Sequence, residues 1–386
     1  MYKIKLKDKI AEVGLAKFTQ NFECSKDITE PDAIMVRSTK INAEDLNPNL
    51  LAIARAGAGV NNIPIQTCAS QGIVVFNTPG ANANAVKELV LCGLLMASRK
   101  IVEAIDWTKN QTLDETIAKQ CEKGKKQFVG PEIAGKKLGV IGLGAVGIKV
   151  ANAAIDLEMD VYGYDPYLSV KNAWSLNKQI VPCQNLEEIF ANSDYISIHI
   201  PATSDNTDFL DQAAFAKMKN GVKILNFARG SLVNNFDLLQ ALKTGQVGKY
   251  ITDFASCELF GHDNIIILPH LGASTYESEE NCAKMAANEL MDYLENGNIT
   301  NSVNFPRCVQ ERNSKTRICI INKNVPNILA RISGLLAQNE INIENMVNRA
   351  RGDYAYTLID SDDEISLDVL NKISSNEDII KIRVIK

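Results

Sequence analysis

The feature that most restricts the fold is a glycine pattern lodged between a strand and a helix. Lys137-Leu138-Gly139-Val140-Ile141 is an apolar run, and Gly142-Leu143-Gly144-Ala145-Val146-Gly147 follows it directly. Val146 to about Leu157 then has helical patterning. Alone, the G-x-G-x-x-G spacing is weak, because glycines recur in turns. A strand before it and a helix after it give it meaning. Each glycine answers a separate need: Gly142 a tight turn, Gly144 close approach of backbone to a pyrophosphate, Gly147 close packing of helix on sheet. The helix N-terminus, opening at Ala145 and Val146, offers unpaired N–H groups to phosphate oxygens. The next strand ends at Asp165, 23 residues after Gly142. A carboxylate there accepts hydrogen bonds from both adenosine ribose hydroxyls and repels a 2′-phosphate, which points to NAD rather than NADP.

The same rhythm continues downstream. Asp160 to Tyr164, Tyr195 to Ile200, Val222 to Asn226, Lys249 to Asp253 and Ile265 to Leu268 are further apolar runs, most of them separated by helical stretches. Near-continuous apolar strands alternating with helices predict a parallel sheet covered on both faces. Upstream, Ala33 to Val36 and Gly72 to Phe76 read as buried strands, and Asn84 to about Lys109 as one long helix. The polar stretch holding Lys119, Lys123, Lys125 and Lys126 reads as a solvated loop. A second helix spans about Ser274 to Asn296, and a polar segment with Pro306 follows it. Past that linker the period changes to strand, helix, strand, strand, helix, strand, the ferredoxin-like order of a small α+β domain.

Composition narrows the partners. Forty-one Lys and Arg against 46 Asp and Glu leave a net charge of −5, which disfavours nucleic acid, whose phosphates call for a clustered basic surplus. No apolar run is long enough for a membrane span, and the first residues, Met1 to Asp8, do not look like a secretory signal. Nine scattered cysteines give neither a zinc spacing nor a disulfide framework, so reduced thiols in a cytoplasmic protein, with no metal site, are expected. Histidine is scarce: His199, His262 and His270 are the whole supply.

Three polar residues follow predicted strands: Arg229 in Asn226-Phe227-Ala228-Arg229-Gly230, Glu258 five residues after Asp253, and His270 after Ile267-Leu268-Pro269. Singly, each is a residue type that more often serves as surface charge or structural support. Together they sit where open parallel sheets bind ligands, beyond the carboxyl ends of strands, and downstream of a dinucleotide motif. That set suits hydride transfer coupled to proton transfer.

These segments, with Pro269-His270-Leu271-Gly272-Ala273-Ser274-Thr275, Val36-Arg37-Ser38 and Arg55-Ala56-Gly57-Ala58-Gly59-Val60, resemble the D-isomer-specific 2-hydroxyacid dehydrogenases over nearly the whole chain. The resemblance implies a Rossmann-type doubly wound parallel NAD domain (97–282) inserted in a flavodoxin-like α/β substrate domain (1–96 and 283–305). A linker (306–314) and a C-terminal ferredoxin-like ACT domain (315–386) complete the implied layout. It makes His270 the acid–base group, Glu258 its orienting partner and Arg229 the clamp on the substrate carboxylate. Asp253 would face the nicotinamide carboxamide, with further cofactor contacts at Ala58, Pro201, Ala228 and Gly272. Substrate contacts are implied at Gly57, Gly59 and Asn82, and Arg37, Ser38, Lys40 and Arg55 are the candidates to hold a substrate phosphate.

Within the family the pattern is nearest the branch that oxidises D-3-phosphoglycerate to 3-phosphohydroxypyruvate, the first step of L-serine biosynthesis. Alternatives are a reductase of another small 2-oxo acid (glyoxylate, hydroxypyruvate or 2-oxoglutarate) and a non-enzymatic NAD-sensing regulator. The intact Arg229, Glu258 and His270 speak against the regulator. The ACT resemblance implies L-serine as effector, with Asn322, Asn324 and Asn342 at the ligand positions, and a homodimer or homotetramer. Leu259 stands where relatives commonly have Pro, Lys87 where Ala is usual, and His199 and His262 read as structural and solvated.

Overall fold

The computed structural model describes all 386 residues, which separate into two compact units, Met1–Asn82 with Tyr276–Lys386, and Ala83–Thr275. These breaks fall at the starts of helices Ala83–Ser98 and Tyr276–Asn296, within which the sequence reading had set its own boundaries.

The first unit holds two sheets. Strands β1 (Tyr2–Leu6), β2 (Phe22–Ser25), β3 (Ala33–Val36), β4 (Ala52–Arg55) and β5 (Val74–Phe76) form a parallel sheet in the order β2-β1-β3-β4-β5, the flavodoxin arrangement. β3 and β5 are fully buried, and β4 is buried up to Arg55 at its end, which is why they read as short apolar runs. β1 alternates lysine with apolar residues and was not legible as a parallel strand.

The second unit holds β6 (Lys137–Ile141), β7 (Asp160–Tyr164), β8 (Val181–Pro182), β9 (Tyr195–Ile198), β10 (Val222–Asn226), β11 (Val247–Thr252) and β12 (Ile265–Ile267). All pair in parallel, in the order β12-β11-β10-β9-β6-β7-β8, so the chain reverses direction across the sheet between β6 and β9. That reversal is the doubly wound switch point, where a crevice opens beyond the strand ends. Helix Ala83–Ser98 lies on this sheet, and Gly93 lets it approach until an added Cβ would sit 2.9 Å from Leu225.

Two expectations are corrected here. The long helix over 84–109 breaks at Arg99 and Lys100 into Ala83–Ser98 and Ile101–Lys109. The lysine-rich stretch is no loop but the helix Ile117–Gly124, continued by a tight turn to Phe128, whose ring packs on Trp107 at 5.6 Å. Its apolar residues are few, so the pattern was masked by its lysines.

The C-terminal strands β13 (Thr316–Lys323), β14 (Asn345–Arg351), β15 (Tyr354–Ser361) and β16 (Ile379–Ile385) form an antiparallel sheet in the order β14-β15-β13-β16, with helices Ile328–Gln338 and Leu367–Ser374 against one face. This is the expected ferredoxin-like topology. Its other face is not solvated: Cys319, Ile321, Tyr356, Leu358 and Ile385 share a core with Ile4, Phe76, Leu290 and Tyr293. The C-terminal end of helix Tyr276–Asn296 is held by the same sheet. Arg383 donates to the carbonyls of Tyr293 and Leu294, Arg317 to that of Asn296 and the Tyr356 hydroxyl to that of Gly297. Cations and donors there satisfy the last carbonyls and complement the helix dipole.

Candidate active site

In the second unit, β6 delivers the chain into the glycine turn. Gly142 has φ +91°, where only glycine is unstrained, and its N–H donates to Tyr164 O at 2.9 Å. A Cβ on Gly147 would collide with the Gly142 carbonyl, so the third glycine is fixed by packing. Gly144 differs: its φ is −79° and, its chain neighbours apart, no protein atom lies within 4 Å of where a Cβ would be. Neither strain nor packing demands glycine there, and the open space is what a phosphate group approaching the backbone requires. No side chain caps helix Ala145–Asp156, whose first residue, Ala145, is exposed, so its opening N–H groups, including those of Val146 and Gly147, suit an anion.

Asp165, just past β7, braces this turn. Its Oδ2 accepts from Leu143 N at 2.9 Å and its Oδ1 from Tyr167 N at 2.8 Å. Each oxygen keeps a lone pair with which to accept a ribose hydroxyl.

β10, β11 and β12 place the remaining groups at their carboxyl ends. Asn226 ends β10 fully buried and folds the following turn around its amide. Its Oδ1 accepts from Ala228 N and Arg229 N at 3.1 and 3.3 Å, and its Nδ2 donates to Arg229 O at 2.8 Å. Half-buried Arg229 is thus presented on a stiff turn, and its guanidinium donates to Ala228 O at 2.6 Å.

Beyond β11, Asp253 is 2% exposed, and its Oδ2 accepts from Gly272 N at 2.8 Å while its buried Oδ1 has no partner. Burial pushes its carboxyl above the usual aspartate range, against the pull of Gly272 N–H, His270 and Arg229. An unpaired buried oxygen is costly, so it marks a place for a donor such as a carboxamide N–H. His270 follows β12 in the left-handed region at φ +50°, its N–H donating to Asp253 O at 3.1 Å and its exposed ring resting on Phe254 at 5.1 Å. Arg229, Asp253, Gly272 and His270 are therefore one cluster.

Glu258 is not joined to it by a hydrogen bond. It stands exposed on the turn Cys257–Leu259, where Asn235 Nδ2 donates to its Oε2 at 2.6 Å. Pro201 is exposed and its carbonyl accepts from Asn206 Nδ2 at 2.7 Å. His199 is tied to Ser197 Oγ at 2.8 Å, and burial pushes its imidazole down to about 4, in keeping with a structural place behind the glycine turn. His262 is exposed.

In the first unit, Asp8 organises the loop after β3. Its carboxylate accepts from the N–H groups of Arg37, Ser38 and Thr39 at 2.6, 3.1 and 3.2 Å and from the Thr39 hydroxyl at 2.8 Å. Burial alone would raise the Asp8 carboxyl, but these donors hold it below its ordinary value. Arg37 pairs with Glu279 at 2.7 Å, while Ser38 and Lys40 are exposed. Arg55 is turned inward: Nε donates to Arg37 O at 2.9 Å and Nη1 to Gly59 O at 2.5 Å. Those bonds shape the loop, and a Cβ on Gly57 would sit 2.8 Å from the guanidinium. Asn77 Nδ2 donates to Ala58 O at 2.6 Å and Thr78 N to Gly57 O at 3.1 Å, fixing the same loop; Asn82 closes this part of the unit.

In the C-terminal sheet, Asn324 Nδ2 donates to Gly352 O at 3.1 Å and Asn342 Nδ2 to Glu344 Oε1 at 2.6 Å. Asn322 is fully buried at the end of β13, donating to Lys323 O at 2.7 Å with its Oδ1 unpartnered. The residues that sequence reasoning missed are Asp8, Asn226, Asn235 and Phe254. Both Asn226 and Phe254 carried a signal, since Phe254 follows Asp253 directly and Asn226 lies two residues before Ala228.

The profile of the D-isomer specific 2-hydroxyacid dehydrogenase NAD binding domain matches residues 91–272. D-3-phosphoglycerate dehydrogenase of Archaeoglobus fulgidus is 35% identical over 294 residues, 74% of this chain and 53% of that protein. The chain thus spans about half the length of the first of its curated relatives. The Haemophilus influenzae enzyme of the same name is 30% identical over 380 residues, 94% of this chain and 88% of that one. Among solved structures, an NAD+-bound 3-phosphoglycerate dehydrogenase of Entamoeba histolytica superposes with a TM-score of 0.62 at 27% identity, covering 78% of this chain and 98% of that one.

Proposed function

The chain belongs to the D-isomer-specific 2-hydroxyacid dehydrogenases, and from that premise we propose that it oxidises D-3-phosphoglycerate to 3-phosphohydroxypyruvate with NAD, the opening step of L-serine biosynthesis. The observation that carries the proposal is the cluster at the ends of β10, β11 and β12, where Arg229 and His270 flank a buried Asp253 with one unpaired oxygen.

When bound, NAD supplies a two-electron acceptor for the hydrogen on C2. The glycine turn and the Ala145 helix N-terminus would hold its pyrophosphate, Asp165 its ribose and Asp253 Oδ1 its carboxamide. Arg229 would grip the substrate carboxylate and orient C2. His270 would take the proton from the C2 hydroxyl as the C2–H bond breaks hydridically and C2=O forms, and would return it in the reverse reaction. Glu258 would orient that imidazole. Lys40, Ser38 and Arg37 are the groups of the first unit that would meet the C3 phosphate. Arg55, spent on backbone carbonyls, would support them indirectly.

The C-terminal sheet is the proposed seat of feedback by L-serine, as an ACT module, with Asn324 and Asn342 exchanging their present partners for the effector. A dimer or tetramer in the cytoplasm is the setting we infer. The test is NADH formation from D-3-phosphoglycerate and NAD, with and without L-serine. Turnover that serine suppresses is expected. Turnover only with glyoxylate or hydroxypyruvate as oxidant of NADH would overturn the substrate, and indifference to serine would remove the effector alone.

A further inference from the structure

Glu258 has an orienting task and only a weak anchor on its own segment. It projects exposed from the turn Cys257–Leu259, where the one local bond to its side chain is a long one from Ser256 Oγ, at 3.5 Å. A freely rotating glutamate loses rotamer entropy each time it meets an imidazole, and a catalytic group held loosely loses geometry. Its tether comes from another element. Helix Asn235–Thr244 opens with two asparagines that divide the work. Asn234 caps the helix, its Oδ1 accepting from Asp237 N at 3.0 Å, and is itself fixed by its N–H to Leu210 O at 3.0 Å. Asn235, the first helical residue, is thereby set rigidly and reaches outward. Its Nδ2 donates to Glu258 Oε2 at 2.6 Å and to Ser256 Oγ at 3.1 Å, and Ser256 Oγ lies 3.5 Å from the same Oε2.

These groups line a groove of about 570 Å³ that also includes Gly230, next to Arg229, and Phe254, on which the His270 ring rests. We propose that Asn235 is a positioning residue for the dehydrogenase reaction: it pins Glu258 by Oε2 and leaves Oε1 to meet the His270 imidazole. The inference rests on the proposed reading of Glu258 and His270. An amide does this where a carboxylate could not, because it offers a donor without a second negative charge.

The experiment is a steady-state comparison, with D-3-phosphoglycerate and NAD, of the unmodified chain, Asn235→Ala, Asn235→Asp, Glu258→Gln and the two double variants. Losing one hydrogen bond to a charged group typically costs about ten- to a hundredfold. Asn235→Ala should accordingly lower kcat about tenfold, shift the pH profile and leave KM for NAD within twofold. Asn235→Asp keeps shape and volume but swaps donor for acceptor, so it should lose at least as much; it also carries the test if the alanine variant folds poorly. In the Glu258→Gln background neither change should cost anything more. Wild-type kcat in both single variants, or an equal loss with and without Glu258, would overturn the role. Absence of turnover in the unmodified chain would instead overturn the functional reading, and the role with it.

Discussion

Asp253 and Asp360 are both buried, at 2% and 0% exposure, yet their surroundings are opposite. Asp360, in β15, is fully spent: Arg317 Nε and Nη2 donate to its two oxygens at 2.6 and 2.7 Å, and Gln310 adds a third bond. The Arg317 guanidinium also donates to the carbonyls of Asn296, Gln310 and Glu311, so nothing in this pair is left for a ligand. Asp253 accepts one bond and keeps a buried oxygen unpaired beside Arg229 and His270. A saturated buried network holds a sheet to its helix and linker. An unsaturated one at a strand end is the mark of a site awaiting a donor.

The contrast can be broken at several points. The largest effect is expected at the unsaturated end: His270→Asn should lower kcat about 10²–10⁴-fold, the range for removing a general acid–base, with NAD affinity nearly unchanged. Near-normal turnover would place the base elsewhere. At the saturated end, Arg317→Leu strands Asp360 and should cost about 3–5 kcal/mol in denaturant unfolding, with kcat per folded molecule preserved. A change in kcat without a change in midpoint would make the pair part of the reaction.

A third carboxyl sharpens the distinction. Glu289, on helix Tyr276–Asn296, accepts from Asn301 Nδ2 at 2.6 Å and has Oε2 buried without a partner, and burial pushes it up to about 8. The folded state then holds a proton that the unfolded chain releases near pH ~4.3, so stability falls as pH rises between there and about 8. The slope is at most about 1.4 kcal/mol per pH unit. Glu289→Gln should flatten it and raise the unfolding midpoint above pH 8 relative to the unmodified chain. Parallel pH profiles for the two would show that Glu289 is not the proton holder.

How much was readable from the chain follows the same division. The glycine turn, Asp165 and the Arg229, Asp253 and His270 positions were legible, because each is a local event: a strand ends, a turn needs glycine, a polar residue follows. The parallel order of the second sheet followed from its rhythm. What stayed hidden depends on distance along the chain. Arg317 and Asp360 lie 43 residues apart, and Arg383 and Tyr293 lie 90 apart, so nothing local showed that the C-terminal sheet shares a core with the first sheet. Arg55 is a candidate phosphate ligand from the sequence, and its bonds to the carbonyls of Arg37 and Gly59, 18 and 4 residues away, could not be read from it. Asn235 looked like one more asparagine of an asparagine-rich chain, since its partner Glu258 is 23 residues on.

The most direct test is to titrate NAD into the Asp253→Asn chain while following its unfolding midpoint. Asparagine has one oxygen, so when that oxygen accepts from Gly272 N–H its NH2 group, a donor, faces the site where the carboxylate oxygen stood. Losing a hydrogen bond that a charged acceptor makes costs about 1.5–3 kcal/mol, so the dissociation constant for NAD should rise at least about tenfold while the midpoint without NAD stays unmoved. Unchanged NAD binding with a falling midpoint would make Asp253 a scaffold like Asp360 and contradict the account.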